Sequence, residues 1–161
     1  MKVAELLIRK GVLKKQVTEL EASLVGGIRI PETEVDGQED IELILKTIQE
    51  KYDEMHKLGC IVGKCNHVNE VAPGQTVDDA LVMRDILIKQ LTALREAYRE
   101  CKGGRGGYRS CDTEVKYVTR IPPTRLRTMI DQKQSELYAL ETKIQIANWA
   151  ADVDAFVSST T

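Results

Sequence analysis

Apolar side chains recur at steps of three and four residues in four separate segments of this chain. Such steps place successive side chains on one side of an α-helix, so each segment predicts a long amphipathic helix. Helices of this length gain most of their stability by burying the apolar row against another helix. The four rows are Val3, Leu6, Lys10, Leu13, Val17, Leu20 and Leu24; Ile41, Leu45, Ile48, Tyr52, Met55, Gly59, Val62, Asn66 and Asn69; Val77, Ala80, Arg84, Leu87, Leu91, Leu94, Tyr98 and Cys101; and Leu126, Ile130, Lys133, Leu137, Leu140, Ile144, Ala147 and Ala151.

Helix-terminating residues separate the four segments. Gly26 and Gly27 follow the first row, where glycine commonly ends a helix. Pro73-Gly74 predicts a turn after the second row, and Thr76 is an expected N-cap of the third helix. Pro122-Pro123 precedes the fourth row, where the missing proline N–H costs little.

These signals predict a mainly α fold built from long antiparallel amphipathic helices. The short Pro-Gly link favours a helical hairpin. The expected architecture is a four-helix bundle, or alternatively two helical hairpins that complete their cores only between subunits. Aromatic residues make up only 4% of the chain, which favours aliphatic helix packing over a β-sandwich. We expect a single helical domain over residues 1–157 and a frayed tail over residues 158–161.

Two stretches indicate a small β element rather than helix. Residues 27–31 form a short segment that ends in proline. Residues 113–121 alternate β-branched and polar side chains with a period of two, which is typical of a strand. One strand is not stable alone, so the second stretch is expected to pair with the first or with its copy in another subunit.

The charge distribution favours self-association over a polyanionic partner. The formal net charge is -2, so no nucleic acid is expected to bind. Residues 32–54 are strongly acidic, whereas residues 99–127 are strongly basic. Opposite charges on one chain can orient two copies on each other, although ordinary solvated helix faces give the same pattern.

Four blocks of sequence together resemble the septicolysin-like family of small bacterial proteins. They are MKVAELLIRKGVLKKQVTEL at the amino end, NHVNE followed by TVDDALVMRDILIKQL, YRSCDTEVKYVTRI, and ETKIQIANWAADV near the carboxyl end. The resemblance extends from Met1 to about Val153. It implies an all-helical fold with a small β element and oligomer formation, and it supplies no catalytic residues. The glycine-rich KGGRGG stretch and the cysteine pairs depart from the family pattern.

One polar group interrupts the apolar rows and is the candidate ligand-binding site. It consists of Asn66, Asn69, Arg84 and Asp85, which a hairpin around Pro73 would bring together. Buried polar side chains must be paired, and they often fix helix register or oligomeric state. The alternatives are a small anion or other ligand held by Arg84 and the two amides, or simple exposure of all four side chains.

The cysteines do not form a recognisable metal motif. Cys60 and Cys65 are five residues apart on a predicted helix, which directs them to different faces, unlike the knuckles of zinc sites. A disulfide between Cys101 and Cys111 is geometrically feasible, but thiols are expected in a reducing compartment. We therefore predict no metal and no cofactor. The stretch from Gly59 to Cys65 also lacks the spacing and hydroxyl residue of a phosphate-binding loop.

From these features we expect a cytoplasmic, self-associating helical protein with a structural or interaction role and no catalytic activity. The amino-terminal segment lacks the apolar run of a secretory signal, because Arg9 and Lys10 interrupt it. A membrane-active cytolysin is the first alternative, suggested by the family name and by amphipathic helices that can bind bilayers. A ligand- or metal-binding bundle is the second.

Overall fold

The structure, a computed structural model, describes residues 1–28, 41–102 and 119–154. It contains α1 (Val3–Gly27), α2 (Ile41–Val68), β1 (Glu70–Ala72), β2 (Gln75–Thr76), α3 (Val77–Cys101) and α4 (Pro123–Ala150). The two strands form a small antiparallel sheet, and the predicted mainly α fold is confirmed.

The chain divides into two compact units. The first unit comprises Met1–Glu70 and Ala147–Thr161, and the second comprises Val71–Ile146. Each unit contains one pair of antiparallel helices, α1 with α2 in the first and α3 with α4 in the second. The hairpin that the sequence predicted, α2 with α3 around Pro73, involves helices from both units and stays a prediction. The single domain over residues 1–157 stays a prediction.

In the first unit, α1 packs against α2 with its predicted apolar row facing inward. Val3, Leu6, Leu13 and Val17 of that row are buried. Lys10, which interrupts the row, lies across from Gly59 of α2. A Cβ atom added to Gly59 would lie 3.5 Å from Lys10 Nζ. A methyl group at this position would therefore be in ordinary van der Waals contact with the lysine amine.

The predicted row of α2 is wrong at Leu45 and Tyr52, which are 50% and 44% exposed. Gly59 and Asn66 are half-buried, as are Met55 and Asn69 of the same row. The observed row again has steps of three and four, but it runs through the neighbouring side of the helix: Ile41, Ile44, Ile48, Lys51, Met55, Leu58, Val62, Cys65 and Asn69. Leu58 and Cys65 remove more apolar surface from water than Gly59 and Asn66, which favours this orientation.

The core of the first unit lies at the amino end of α1. It combines residues from α1, from the carboxyl-terminal half of α2 and from the segment after α4. Its buried members are Val3, Leu6, Leu13, Leu58, Val62, Cys65, Ala151 and Val153.

In the second unit, the predicted rows of α3 and α4 are confirmed. Val77, Ala80, Leu87 and Leu91 of α3 are buried, and Arg84, Leu94, Tyr98 and Cys101 are half-buried. On α4, the buried residues of this unit are Leu126, Leu140 and Ile144. The two helices are antiparallel, since Arg95 Nη2 donates a hydrogen bond to Gln134 Oε1 at 2.6 Å and Cys101 Sγ lies 3.8 Å from the carbonyl oxygen of Ile121.

The sheet is located at the predicted turn. Pro73 and Gly74 connect β1 to β2, and Gly74 has a φ of 74°, a left-handed conformation that glycine adopts without steric cost. At the positions where the sequence predicted β structure, Gly27 ends α1, and Thr119 to Ile121 are not in a strand. Residues 29–31 and 113–118 lie outside the described part of the chain. The predicted tail over residues 158–161 lies outside it too.

Thr76 caps the amino end of α3 as predicted. Its Oγ1 accepts a hydrogen bond from the Asp79 N–H at 3.2 Å, and Asp79 Oδ2 accepts one from the Thr76 N–H at 3.0 Å. This reciprocal pair satisfies two backbone donors that the helix itself leaves unpaired.

Substituting Thr76→Ala is expected to lower the free energy of unfolding by about 1 kcal/mol, because one cap acceptor is lost. Urea denaturation followed by circular dichroism measures this change. Thr92→Ala is the matched control, since Thr92 is exposed within α3 and its hydroxyl donates to the Ile88 carbonyl of the same helix. An equal loss in both variants would show that the cap contributes nothing specific.

One structural observation concerns the alternative of a membrane-active cytolysin: none of the described helices contains a stretch long and apolar enough to cross a bilayer.

Candidate functional site

The four predicted site residues are distributed over both units. Asn66 and Asn69 belong to the first unit, and both are half-buried. Arg84 and Asp85 belong to the second, where the Arg84 guanidinium donates to Asp85 Oδ1 from Nη2 at 3.1 Å. Arg84 thus has a carboxylate partner from its own helix. A joint site made by all four residues stays a prediction.

Arg84 lines a shallow groove of about 470 Å³ in the second unit. The other lining residues all come from α4: Tyr138, Glu141, Thr142, Ile144 and Gln145. The groove has one cation, one carboxylate and several uncharged polar groups around Ile144. This mixed lining favours peptide-like or side-chain contacts over a dedicated site for a single anion.

A second groove of about 470 Å³ lies between α3 and α4, and we call it the α3–α4 groove. Its floor is aliphatic and its rim is polar. Lys133 and Glu136 form an ion pair on the rim, with 2.6 Å between Nζ and Oε2. The lining residues are Gln75, Met83, Ile86, Leu87, Gln90, Lys133, Glu136, Ala139, Leu140 and Lys143.

Large apolar side chains remain exposed at the α3–α4 groove. Met83 and Ile86 are 52% and 50% exposed, although they lie beside the buried Leu87. An exposed apolar patch with a polar rim is typical of an interaction surface. The helical period alone did not predict this surface, because Met83 and Ile86 lie outside the principal row of α3. A second, uncharged row in the sequence could have revealed it: Met83, Ile86, Gln90, Ala93 and Ala97.

The cysteines occupy different environments, as their spacing predicted. Cys60 is exposed, with its Sγ 3.7 Å from His56 Nε2 one turn earlier. Cys65 is buried, and burial raises the pKa of its thiol. Cys111 lies outside the described residues, so the disulfide with Cys101 stays untested. Within residues 1–28, 41–102 and 119–154, no three His, Cys, Asp or Glu side chains are grouped to hold a metal ion.

The first unit also joins the amino end of the chain to the segment after α4, a contact that the sequence did not predict. The backbones of Lys2 and Asp152 form an antiparallel bridge, with Val3 N–H donating to the Ala151 carbonyl at 3.2 Å and Val153 N–H donating to the Met1 carbonyl at 2.8 Å. We call this contact the terminal clasp. Short-range patterns cannot reveal it, since its two segments are about 150 residues apart in the sequence.

Charged groups reinforce the terminal clasp. The Met1 ammonium donates to Asp154 Oδ2 at 2.6 Å and to Asp152 Oδ1 at 3.3 Å. The hydrogen bond with Asp154 is the main cause that raises the pKa of the ammonium above 8.0. The Asp154 backbone N–H, and then the ammonium, hold the pKa of Asp152 below 3.8.

These directions predict how the clasp depends on pH. The contribution of Asp152 is present above pH 3.8 and is lost as the pH falls through its lowered folded-state pKa. The contribution of the ammonium is present below pH 8.0 and is lost as the pH rises through its raised folded-state pKa.

Asp152→Asn is expected to lower the melting temperature modestly near neutral pH and to leave it unchanged well below pH 3.8. Differential scanning calorimetry across pH, on chains that begin at Met1, tests this. Asp131→Asn removes an exposed carboxylate from α4, outside the terminal clasp, and serves as the control. A loss that is independent of pH would mean that the Asp152 carboxylate charge contributes nothing.

The described geometry defines a class: a helical protein of two antiparallel hairpins that carries shallow grooves between helices. The model of a family of unknown function, DUF6847, matches residues 10–153, and the chain belongs to this family. A crystal structure of a functionally unknown conserved protein from Corynebacterium diphtheriae is similar, with a TM-score of 0.79 and 25% sequence identity. The similarity covers 94% of this chain and 97% of that one. No curated protein matches the sequence.

Proposed function

We propose that this protein is a cytoplasmic, self-associating helical protein with a structural or interaction role and no catalytic activity. The observation that carries the proposal is the second row on α3. The principal row of α3, which includes Val77, Leu87 and Leu91, is buried within the chain. Met83 and Ile86 of the second row remain about half exposed. Burial of such side chains in an interface would contribute about 25 cal/mol per Å² before the entropy cost of association is subtracted.

Exposed apolar residues elsewhere support the same proposal. On α1, Ile8 and Val12 are 59% and 52% exposed and are one turn apart on the helix surface. Scattered exposed apolar residues are ordinary on a protein surface, but groups along one helix face favour contact with another helix. The resemblance to the septicolysin-like family, which implies oligomers, points in the same direction.

The proposal is tested by exchange between two preparations of the chain. An affinity-tagged chain and an untagged chain are purified separately, mixed at micromolar concentration and recovered on the tag. We expect the untagged chain to be retained in proportion to the tagged one. An unrelated helical protein of similar size serves as the control bait. Recovery of the tagged chain alone, after hours of mixing at several salt concentrations, would contradict self-association.

The membrane-active alternative makes a different prediction. A cytolysin releases an entrapped dye from liposomes, whereas a self-associating interaction protein leaves them intact. We expect no release from neutral or anionic vesicles between acidic and neutral pH. Release that rises with protein concentration would favour the cytolysin over the proposed role.

A further inference from the structure

We infer that two copies of this chain pair across the α3–α4 groove, with the α4 helices antiparallel to each other around Ala139. This inference rests on the proposed self-association and names the surface and the partner, which is a second copy. Three features of the second unit support this pairing: a second row of residues along α4, the order of charges in that row, and the exposed residues that α3 adds to the same groove.

The second row of α4 runs beside the row that packs against α3. Its members follow steps of three and four, and all are exposed: Met129, Gln132, Glu136, Ala139, Lys143 and Ile146. Ala139 is the smallest of them and lies at the middle of the row. A small side chain at the centre permits two helix backbones to approach closely, which makes Ala139 a suitable crossing point.

The charges of this row are complementary to themselves in one orientation. Glu136 and Lys143 lie on either side of the row's centre, seven residues and about 10 Å apart along the helix. In an antiparallel pair around Ala139, Glu136 of each copy faces Lys143 of the other, which gives two opposite-charge contacts. A parallel pair would instead place Glu136 against Glu136 and Lys143 against Lys143. The order of charges therefore selects the antiparallel arrangement.

The ion pairing of Glu136 and Lys143 within one chain is compatible with contacts to a second copy. Glu136 already contacts Lys133 within its own chain, and its carboxylate can accept from a second cation. Lys143 forms no ion pair with any residue that the structure describes. The second copy would supply the carboxylate that Lys143 lacks on the rim of the groove.

Helix α3 supplies the apolar part of the same surface. Met83 and Ile86 line the groove with Ala139 and Leu140, and the second copy would cover them. Central apolar side chains surrounded by polar contacts are the usual arrangement of residues that dominate binding energy. The charged rim then sets orientation, and the aliphatic floor supplies most of the affinity.

Charge reversal tests the inference. Glu136→Lys alone and Lys143→Glu alone each place like charges across the interface twice, so each is expected to weaken the dimer about tenfold. The double variant restores both contacts with the signs exchanged, and its dissociation constant is expected to lie within about threefold of the original. Sedimentation velocity over a concentration series measures all three, after circular dichroism has shown equal helix content.

Asp131→Lys is the matched control, because it makes the same type of charge reversal on the exposed surface of α4 outside the groove lining. It is expected to leave the dissociation constant unchanged. If the original chain assembles but the double variant is no tighter than the single variants, the α4 pairing is wrong and another surface mediates assembly. If the original chain is monomeric at all concentrations, self-association itself is wrong.

Discussion

Replacing Leu6 by alanine is expected to lower the free energy of unfolding by about 2–5 kcal/mol, one of the two largest effects expected of a single substitution here. Leu6 is 0% exposed and lies in the core where α1, α2 and the segment after α4 meet. The substitution removes apolar contacts and leaves a cavity that neighbours from three parts of the chain cannot all fill. Guanidinium denaturation followed by circular dichroism measures the loss.

Val25→Ala is the control for the Leu6 substitution. Val25 lies on the same helix but is 74% exposed, so its replacement is expected to change the unfolding free energy by less than about 0.5 kcal/mol. Comparable losses in the two variants would mean that the assigned inner face of α1 is wrong.

The second large loss in the free energy of unfolding is expected for Cys65→Asp, at about 4 kcal/mol or more. Cys65 is 0% exposed among Leu58, Val62 and other apolar residues, where a carboxylate loses its hydration without a compensating partner. Loss of the folded state at ambient temperature is therefore an expected outcome. Thermal denaturation near neutral pH gives the comparison.

Cys60→Asp provides the matched control for Cys65→Asp, because the two cysteines lie on the same helix with opposite exposure. The Cys60 variant is expected to retain nearly the stability of the original protein. In the unaltered protein, iodoacetamide should label Cys60 rapidly and Cys65 slowly, as read by peptide mass spectrometry. Burial protects the Cys65 sulfur and raises its thiol pKa. Rapid labelling of Cys65 would contradict the assigned orientation of α2, which buries this side chain.

Much of the fold follows from residues within a few positions of each other. The rows of α1, α3 and α4 were predicted correctly, because a helix that must bury one face arranges its aliphatic residues with the helical period. Local capping chemistry was equally informative, since Thr76 and Asp79 form their pair without help from distant residues. Pro123 at the start of α4 is another such signal.

The orientation of α2 was predicted incorrectly because its sequence contains two overlapping rows. Both rows share Ile48, Met55 and Val62, and a rotation of the helix by a fraction of a turn exchanges the remaining members. The helical period alone does not distinguish the two rows. The members that differ between them do distinguish the rows, because Leu58 is a larger apolar residue than Gly59. The side of the helix that buries more apolar surface is the side that packs.

The candidate sites depend on contacts that a single sequence cannot specify. Asp152 meets Lys2 across nearly the full length of the chain, and no local pattern encodes that pairing. The apolar floor of the α3–α4 groove includes residues outside the principal row, which the helical period assigns to solvent. Asn66 and Asn69 were selected as interruptions of a row, but Asn66 lies beside the observed row of α2 rather than in it.

Sedimentation equilibrium at several loading concentrations tests self-association most directly, because it gives mass without reference to shape. We expect a weight-average mass that rises with concentration from 18.1 kDa towards twice that value, and we expect charge reversal at Glu136 to shift the rise to higher concentration. A constant mass of 18.1 kDa up to hundreds of micromolar chain would contradict it.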